Sequence, residues 1–193
     1  EGGPAGAFFI DIHAVFHTTN LNKDGIISCL MQSDEDLDVM SDEKWQLEQA
    51  IDAVVFDCDG TLSMIEGINV LADYNGVGDE VHKLTEHAMS EAGITPDIYK
   101  ERLAYTQPTK QQLEILGDDY YQQRVPDIEA VIDTLHKAGK QIFVISAGMN
   151  PAVKIFAERL KIPASHVYAV DLDFDMNGNY LDYDHACLPS IKG

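Results

Sequence analysis

Two carboxylates, Asp57 and Asp59, stand one residue apart directly after the apolar run Ala53, Val54, Val55 and Phe56. A short run of apolar, β-prone residues reads as a buried strand. Gly60 and Thr61 then turn the chain. Neighbouring carboxylates repel, so a close pair calls for a cation or a proton to offset its charge. Oxygen ligands of this kind suit a hard dication such as Mg²⁺. In open α/β sheets, ligands bind beyond the carboxyl ends of the strands, where this pair falls. A strand ending in a polar Asp-Gly turn is the plain structural alternative. Ser146 is a second candidate, following the apolar run Ile142, Phe143, Val144 and Ile145. A hydroxyl and backbone N–H groups at a helix N-terminus hold phosphate well, although a Ser there is also commonly a cap.

The elements that must position these groups follow from periodicity. Residues 65–74, 78–92, 96–105 and 109–116 read as helices, and no strand signal interrupts 66–120. Val81, Leu84, Thr85, Ala88 and Met89 form one helical stripe, whose simplest reading is core packing. Residues 127–140 read as a helix with Ile128, Val131, Ile132 and Leu135 on its apolar face and Gly139 as the cap after it. Residues 141–145 read as a buried strand, 150–160 as a helix with Pro151 at an N1-like position, and 166–170 as a third strand. Alternation of strand and helix implies parallel βαβ units in a doubly wound sheet. Residues 172–181 alternate around Asn177-Gly178, a hairpin signal.

A chain of 193 residues supports one domain, or one with a small insert. Its net charge of −20 disfavours nucleic-acid and anionic-membrane partners, which need basic patches. An acidic protein that handles an anion must neutralise it locally. Three cysteines without a Cys-x-x-Cys pair imply neither a disulfide framework nor a zinc site. Cys58, between the two carboxylates, is expected to point the opposite way as a small buried filler. No apolar run reaches the ~20 residues of a membrane span. The start, Glu1-Gly-Gly-Pro4, has no signal-like core, so the expected location is cytoplasmic, with a trimmed start left open because Met is absent.

Residues 1–51 stand outside this pattern as an N-terminal extension. Residues 8–16 and 25–31 are strand-like around the turn-like 18–25, so a hairpin is expected. Asn20, Asn22, Asp24 and Gly25 match the first positions of a calcium loop, but Met31 stands where the bidentate Glu belongs. His13 and His17 read as surface or packed residues. An acidic loop follows, then a short helix from Ser41 to Ala50 that packs through Trp45 and Leu47.

Asp57-Cys-Asp-Gly-Thr61 resembles the first motif of the haloacid dehalogenase-like (HAD) phosphohydrolases. Residues 66–72, 76–81 and 84–89 look like the phosphoserine phosphatase branch of that superfamily. Phe143-Val-Ile-Ser-Ala-Gly148 looks like its second motif and Lys192-Gly193 like its third. The resemblance runs from about Ile51 to the last residue, and several motifs in order are stronger evidence than one. It implies a doubly wound, Rossmann-like α/β core (52–65 and 126–193) with a parallel sheet, and a small helical C1-type cap, 66–125, inserted after the first strand. It implies a Mg²⁺-dependent phosphomonoesterase acting on O-phospho-L-serine. Asp57 would be the nucleophile, forming an aspartyl-phosphate, and Asp59 the general acid and then base. The Asp57 side chain and the Asp59 carbonyl would bind Mg²⁺. Ser146, Ala147, Gly148 and Lys192 would hold the phosphoryl group, with Lys154 as the weaker alternative cation. Glu66 would take the substrate ammonium, Arg102 its carboxylate and Met89 the pocket wall.

The chain departs from the family in three places. Ala147 stands where Gly is frequent, and Thr95 stands near a usual Phe. The fourth, Asp-rich motif would follow Lys192, so the core is expected to lack its C-terminal part, the chain to be a piece of a longer protein, and the piece to bind Mg²⁺ poorly and to expose a sheet edge. A phosphatase for another small phosphate ester and a non-catalytic HAD-derived binding protein are the competing readings. A homodimer is left open.

Overall fold

The computed structural model describes residues 8–9, 51–90 and 95–187, with the backbone alone at 8–9 and 87–90. The expected N-terminal hairpin, calcium-like loop, His13, His17 and the Ser41 helix therefore lie outside the described residues, apart from Phe8 and Phe9. Lys192 lies outside them too, as does the Met89 side chain.

The strand expected before the carboxylate pair is present as Ala53–Phe56. With Phe8–Phe9 as β1, it is β2. The third strand, β3, is Gln141–Met149, and the fourth, β4, is Val167–Val170. All pair in parallel in the order β1-β2-β3-β4. On the side of β2 away from β3, Phe8 pairs with Val54 and Phe9 with Val55. Parallel pairing of β2, β3 and β4 demands crossovers, and helices supply them, giving the α/β class read from the alternation.

Between β2 and β3 run α1 (Gly67–Tyr74), α2 (Gly78–Ser90), α3 (Pro96–Thr106), α4 (Lys110–Gln122) and α5 (Ile128–Lys137). Helix α6 (Asn150–Arg159) leads from β3 towards β4. Local chemistry sets several of these boundaries. Thr95 accepts from the Ile98 N–H at 3.3 Å and caps α3. Thr109 and Gln112 form a reciprocal capping box at α4. Gly139 adopts φ +69° just past α5, as its place in the sequence requires.

Sequence expectations for three elements are adjusted by tertiary context. Helix α4 continues to Gln122 because Leu113, Leu116 and Tyr120 carry one buried face beyond residue 116. Strand β3 continues past Ile145 to Met149, but its pairing with β4 shifts register between those residues, so residues 146–148 leave the regular ladder. The strand is also not buried on both sides. Ile142, Val144 and Ser146 are buried, whereas Ile145 is 38% exposed and Tyr168 beside it on β4 is 54% exposed. The hairpin is present as β5 (Leu172–Phe174) and β6 (Tyr180–Tyr183). Its turn is longer than a two-residue Asn-Gly turn, because the Asp175 carboxylate gathers the N–H groups of Asn177 and Asn179, both at 2.8 Å.

The core joins both parts of the chain. Phe56, Leu62, Leu71, Leu113, Tyr120, Ile142, Val144 and Phe156 belong to one buried cluster. Helix α4 packs closely on α6. A Cβ placed on Gly117 would lie 2.7 Å from Ile155, so glycine is what lets these helices approach. At their ends Arg159 pairs with Asp118.

Candidate active site

The loop after β2 is a tight, fully bonded turn. The Cys58 carbonyl accepts from the N–H groups of Thr61, Leu62 and Ser63 at 3.0–3.2 Å. Gly60 sits at φ +69°, a conformation that glycine adopts freely. Ser63 is buried and donates to the carbonyls of Tyr120 and Gln123, both at 3.1 Å, which ties the turn to the end of α4. Cys58 is 0% exposed, as expected of a filler, and burial followed by the neighbouring carboxylates pushes its thiol well above the usual range. Alternation along the extended chain leaves Asp57 exposed on the other side.

Asp59 turns inward and three elements hold it. Its Oδ1 accepts from the Gly67 N–H at 2.6 Å and from the Tyr120 hydroxyl at 2.7 Å. Its Oδ2 faces Ser146, whose hydroxyl lies at 3.4 Å. Burial raises the carboxyl above its ordinary value, while the Gly67 and Tyr120 hydrogen bonds and the Arg102 charge oppose that rise. A carboxyl whose burial and hydrogen bonds pull in opposite directions suits proton transfer in both senses. Space around it is closely set. A Cβ on Gly148 would stand 2.8 Å from Asp59 Oδ2, and one on Gly67 would stand 2.1 Å from the Tyr120 hydroxyl oxygen.

Ser146, Ala147 and Gly148 occupy the irregular end of β3. The Ser146 hydroxyl oxygen accepts from the Gly148 N–H at 2.9 Å. The residue therefore acts as a local turn acceptor as well as facing Asp59. Helix α6 begins directly afterwards at Asn150.

Glu66 and Arg102, read from the sequence as a pair, lie within electrostatic range of each other and of Asp59. Glu66 is the residue before α1 and is half-buried. Burial first, then Asp59 and Asp57, push it up to about 7, with Arg102 opposing. Arg102 is 3% exposed on α3, and burial lowers its guanidinium from the usual value against the pull of Glu66. One guanidinium nitrogen donates to Thr85 at 3.3 Å, and its buried Nε has no hydrogen-bond partner among the described residues. Thr85 in turn bonds the Val81 carbonyl and reaches Asn69 at 3.1 Å. The unused donor leaves guanidinium capacity for an anionic ligand.

Sequence reasoning missed Tyr120, Tyr99 and Thr85. Tyr120 shares the apolar periodicity of α4, and a buried Tyr needs a hydroxyl partner, but spacing gives no hint that the partner is Asp59. Thr85 belongs to the stripe read as core packing, where a hydroxyl is the single polar signal. Tyr99 stands three residues before Arg102 on the same helix, and its hydroxyl donates to the Ala147 carbonyl at 2.9 Å.

The donors present match an oxygen-preferring dication in kind. The Asp57 carboxylate is exposed, and the Asp59 side chain is held by Gly67, Tyr120 and Ser146. Among the described residues no group of three or more His, Cys, Asp and Glu forms a complete metal cluster. The set fits part of a six-oxygen shell.

A parallel sheet, an Asp-x-Asp turn at a strand end and a Ser-bearing loop on the adjacent strand define a HAD-type hydrolase scaffold. The haloacid dehalogenase-like hydrolase family profile matches residues 54–188, and the chain belongs to this family. Within it, the chain is similar to the phosphoserine phosphatase of Homo sapiens, 36% identical over 148 residues that cover 77% of this chain and 66% of that protein. The chain thus spans less than two thirds of that relative's length. Among solved structures, it resembles a phosphoserine phosphohydrolase-like protein from Francisella tularensis, with TM-score 0.64, 23% identity and coverage of 70% and 66%. It also resembles a substrate-bound phosphoserine phosphatase complex, with TM-score 0.61, 24% identity and coverage of 70% and 63%. At these identities the structures establish the Rossmann-like fold. Members of the family generally use a divalent metal.

Proposed function

We propose that this chain forms the greater part of a Mg²⁺-dependent phosphomonoesterase that hydrolyses O-phospho-L-serine to L-serine and inorganic phosphate. The observation that carries the reading is the convergence on Asp59. It is half-buried, restrained by Gly67 and Tyr120, faces Ser146, and lies within the field of the Glu66–Arg102 pair. The likeness to phosphoserine phosphatases supports the substrate class.

Asp57 is the nucleophile in this reading because it is the exposed carboxylate of the pair. An Asp57 oxygen bonds to phosphorus as the ester P–O bond breaks. Asp59 gives its proton to the departing serine oxygen, which leaves as the hydroxyl. The resulting Asp59 carboxylate then takes a proton from water, whose oxygen attacks phosphorus and frees Asp57 and phosphate. One carboxyl acts as acid and then as base, consistent with opposing influences on its proton affinity. Ser146 and the Ala147–Gly148 loop hold the phosphoryl oxygens, the Gly148 N–H orienting the Ser146 hydroxyl it donates to, with Lys192 as the cation beside them. Glu66 binds the ammonium, Arg102 the carboxylate, and Met89 lines the wall, within a helical cap over 66–125 and a core over 52–65 and 126–193. The Asp57 side chain and the Asp59 carbonyl would hold the metal, which supplies charge neutralisation between the anionic nucleophile and the phosphate. Residues 1–51 form an extension to that core.

A cytoplasmic location and a role in serine biosynthesis go with this reading. No helix among the described residues is long and apolar enough to cross a membrane. The acidic composition supports a protein without nucleic-acid partners, and a homodimer is compatible with it. The test is phosphate release from O-phospho-L-serine with and without Mg²⁺, by the wild type and by Asp57→Asn. Metal-dependent release that the substitution reduces by about 10³-fold or more supports the reading. Equal release by both proteins excludes Asp57 as the nucleophile.

A further inference from the structure

Tyr99 connects two parts of the pocket that otherwise belong to separate elements. It lies on α3, one helical turn before Arg102 and on the same face. The side chain is 4% exposed. Its hydroxyl donates to the carbonyl of Ala147 at 2.9 Å, in the middle of the loop that carries Ser146 and Gly148. Its ring packs against Tyr183 of β6, with centroids 5.2 Å apart and planes at 57°. The Arg102 guanidinium carbon lies 5.9 Å from the centre of the same ring.

The connection joins groups with different tasks. Ser146 and its neighbours sit at the end of β3, beside Asp59, whereas Arg102 sits on a helix of the 66–120 insert. A ligand that carries a phosphate at one end and a carboxylate at the other must bridge them. The separation of its two binding groups is then set by how α3 docks on the β3 loop. Tyr99 makes a directional hydrogen bond across that junction, from a ring that is itself buried, so the bond is partly shielded from water.

We propose that Tyr99 is a positioning and specificity-determining residue that fixes the distance between Arg102 and the Ser146–Gly148 loop, matching the pocket to a short phosphate ester bearing a carboxylate. The proposal deepens the functional reading above and rests on it. Tyr99 touches neither reacting oxygen nor phosphorus; it acts through Arg102.

The experiment compares wild type and Tyr99→Phe, which keeps the ring against Tyr183 and removes one hydroxyl. Substrates are O-phospho-L-serine, its homologue longer by one methylene, and p-nitrophenyl phosphate, which lacks the carboxylate. Expected for Tyr99→Phe are a KM for phosphoserine raised about five- to tenfold, a kcat within about twofold, and an unchanged kcat/KM for the aryl phosphate. The preference for phosphoserine over the longer homologue falls about fivefold. In an Arg102→Lys background the same substitution changes the phosphoserine KM by less than about twofold, because the two residues share one effect. An equal loss on all three substrates marks a merely structural role and overturns the proposal, as does a full Tyr99→Phe effect in the Arg102→Lys background. Unaltered kinetics in an active enzyme also overturn it. Absence of phosphoserine turnover by the wild type instead overturns the functional reading beneath it, so the two failures are distinct.

Discussion

The hydroxyl of Tyr120 donates to Asp59 Oδ1 at 2.7 Å, joining residues 61 apart in the chain. Tyr120 is fully buried, and its ring stacks on Phe156 of α6 at 5.7 Å. The hydroxyl thus arrives at the carboxylate on a ring that packing holds still. A rigid donor aimed at an ionisable group favours its charged form without having to reorganise.

Tyr120→Phe should therefore move the pH optimum of kcat upward. The hydroxyl stabilises ionised Asp59, so its loss raises the Asp59 carboxyl further. Both limbs assigned to Asp59, one needing it protonated and one needing it ionised, then shift to higher pH. The expected stability loss is about 1 kcal/mol, because the ring remains and one hydrogen bond is lost. A pH–rate profile and a denaturant titration measure the two effects. A downward move of the optimum would contradict the assigned role.

In the proposed reading, Glu66 should make the affinity for an amino-acid substrate depend on pH. Its carboxyl, pushed up to about 7 chiefly by burial, is largely neutral below that pH in the free protein. A neutral carboxyl binds an ammonium poorly, so KM for phosphoserine should rise below pH 7, by up to about tenfold per pH unit. The aryl phosphate should show no such limb, and Glu66→Gln should abolish it. The stability effect has the opposite sense. With a folded value of about 7 against an ordinary 4.5, the contribution of Glu66 is full below about 4.5 and is lost as pH rises through 7. Glu66→Gln should therefore lose less stability than wild type between pH 5 and 8 in thermal melts.

Gly67→Ala should damage the site although alanine is the better helix former. Its Cβ would lie 2.1 Å from the Tyr120 hydroxyl oxygen and 2.8 Å from the ring carbon that bears it. The ring is stacked on Phe156 and has little room to retreat. Overpacking of this kind costs about 1–3 kcal/mol, measurable by denaturant unfolding. Because Gly67 and Tyr120 both bond Asp59, kcat should fall with stability. A gain in stability with unchanged kcat would show that the ring moves freely.

Arg102→Lys keeps the charge and tests the geometry. A lysine has a single ammonium in place of the planar fork and cannot pair both carboxylate oxygens in parallel. KM for phosphoserine should rise about tenfold or more, with hydrolysis of p-nitrophenyl phosphate within about twofold of wild type. Steady-state kinetics on the two substrates separate these outcomes, and equal losses on both would assign Arg102 to folding rather than recognition.

Local patterns made much of this protein legible. The apolar run into Asp57 and Asp59, the helical stripes of the insert, Gly139 after α5 and Asn177-Gly178 in the hairpin all act over a few residues, where steric preference and periodicity operate directly. The same locality explains why Ser146 could be placed beside a strand end from the sequence, whereas its position within a register shift could not. That shift depends on how β4 pairs with β3.

What docking alone decided is who touches Asp59. The Gly67 N–H, the Tyr120 hydroxyl and Ser146 reach it from three elements, and Tyr99 reaches Ala147 from a fourth. Nothing in the spacing of these residues specifies such partners, because a hydrogen bond depends on distance and direction in space. Only when α4 packs on α6 through Gly117, and α3 settles on the end of β3, do those donors come within reach of their acceptors. Amino-acid order by itself determined which chemical groups are present and which local elements carry them. The packing of those elements determined that Asp57 stays exposed while Asp59 is held by Gly67, Tyr120 and Ser146.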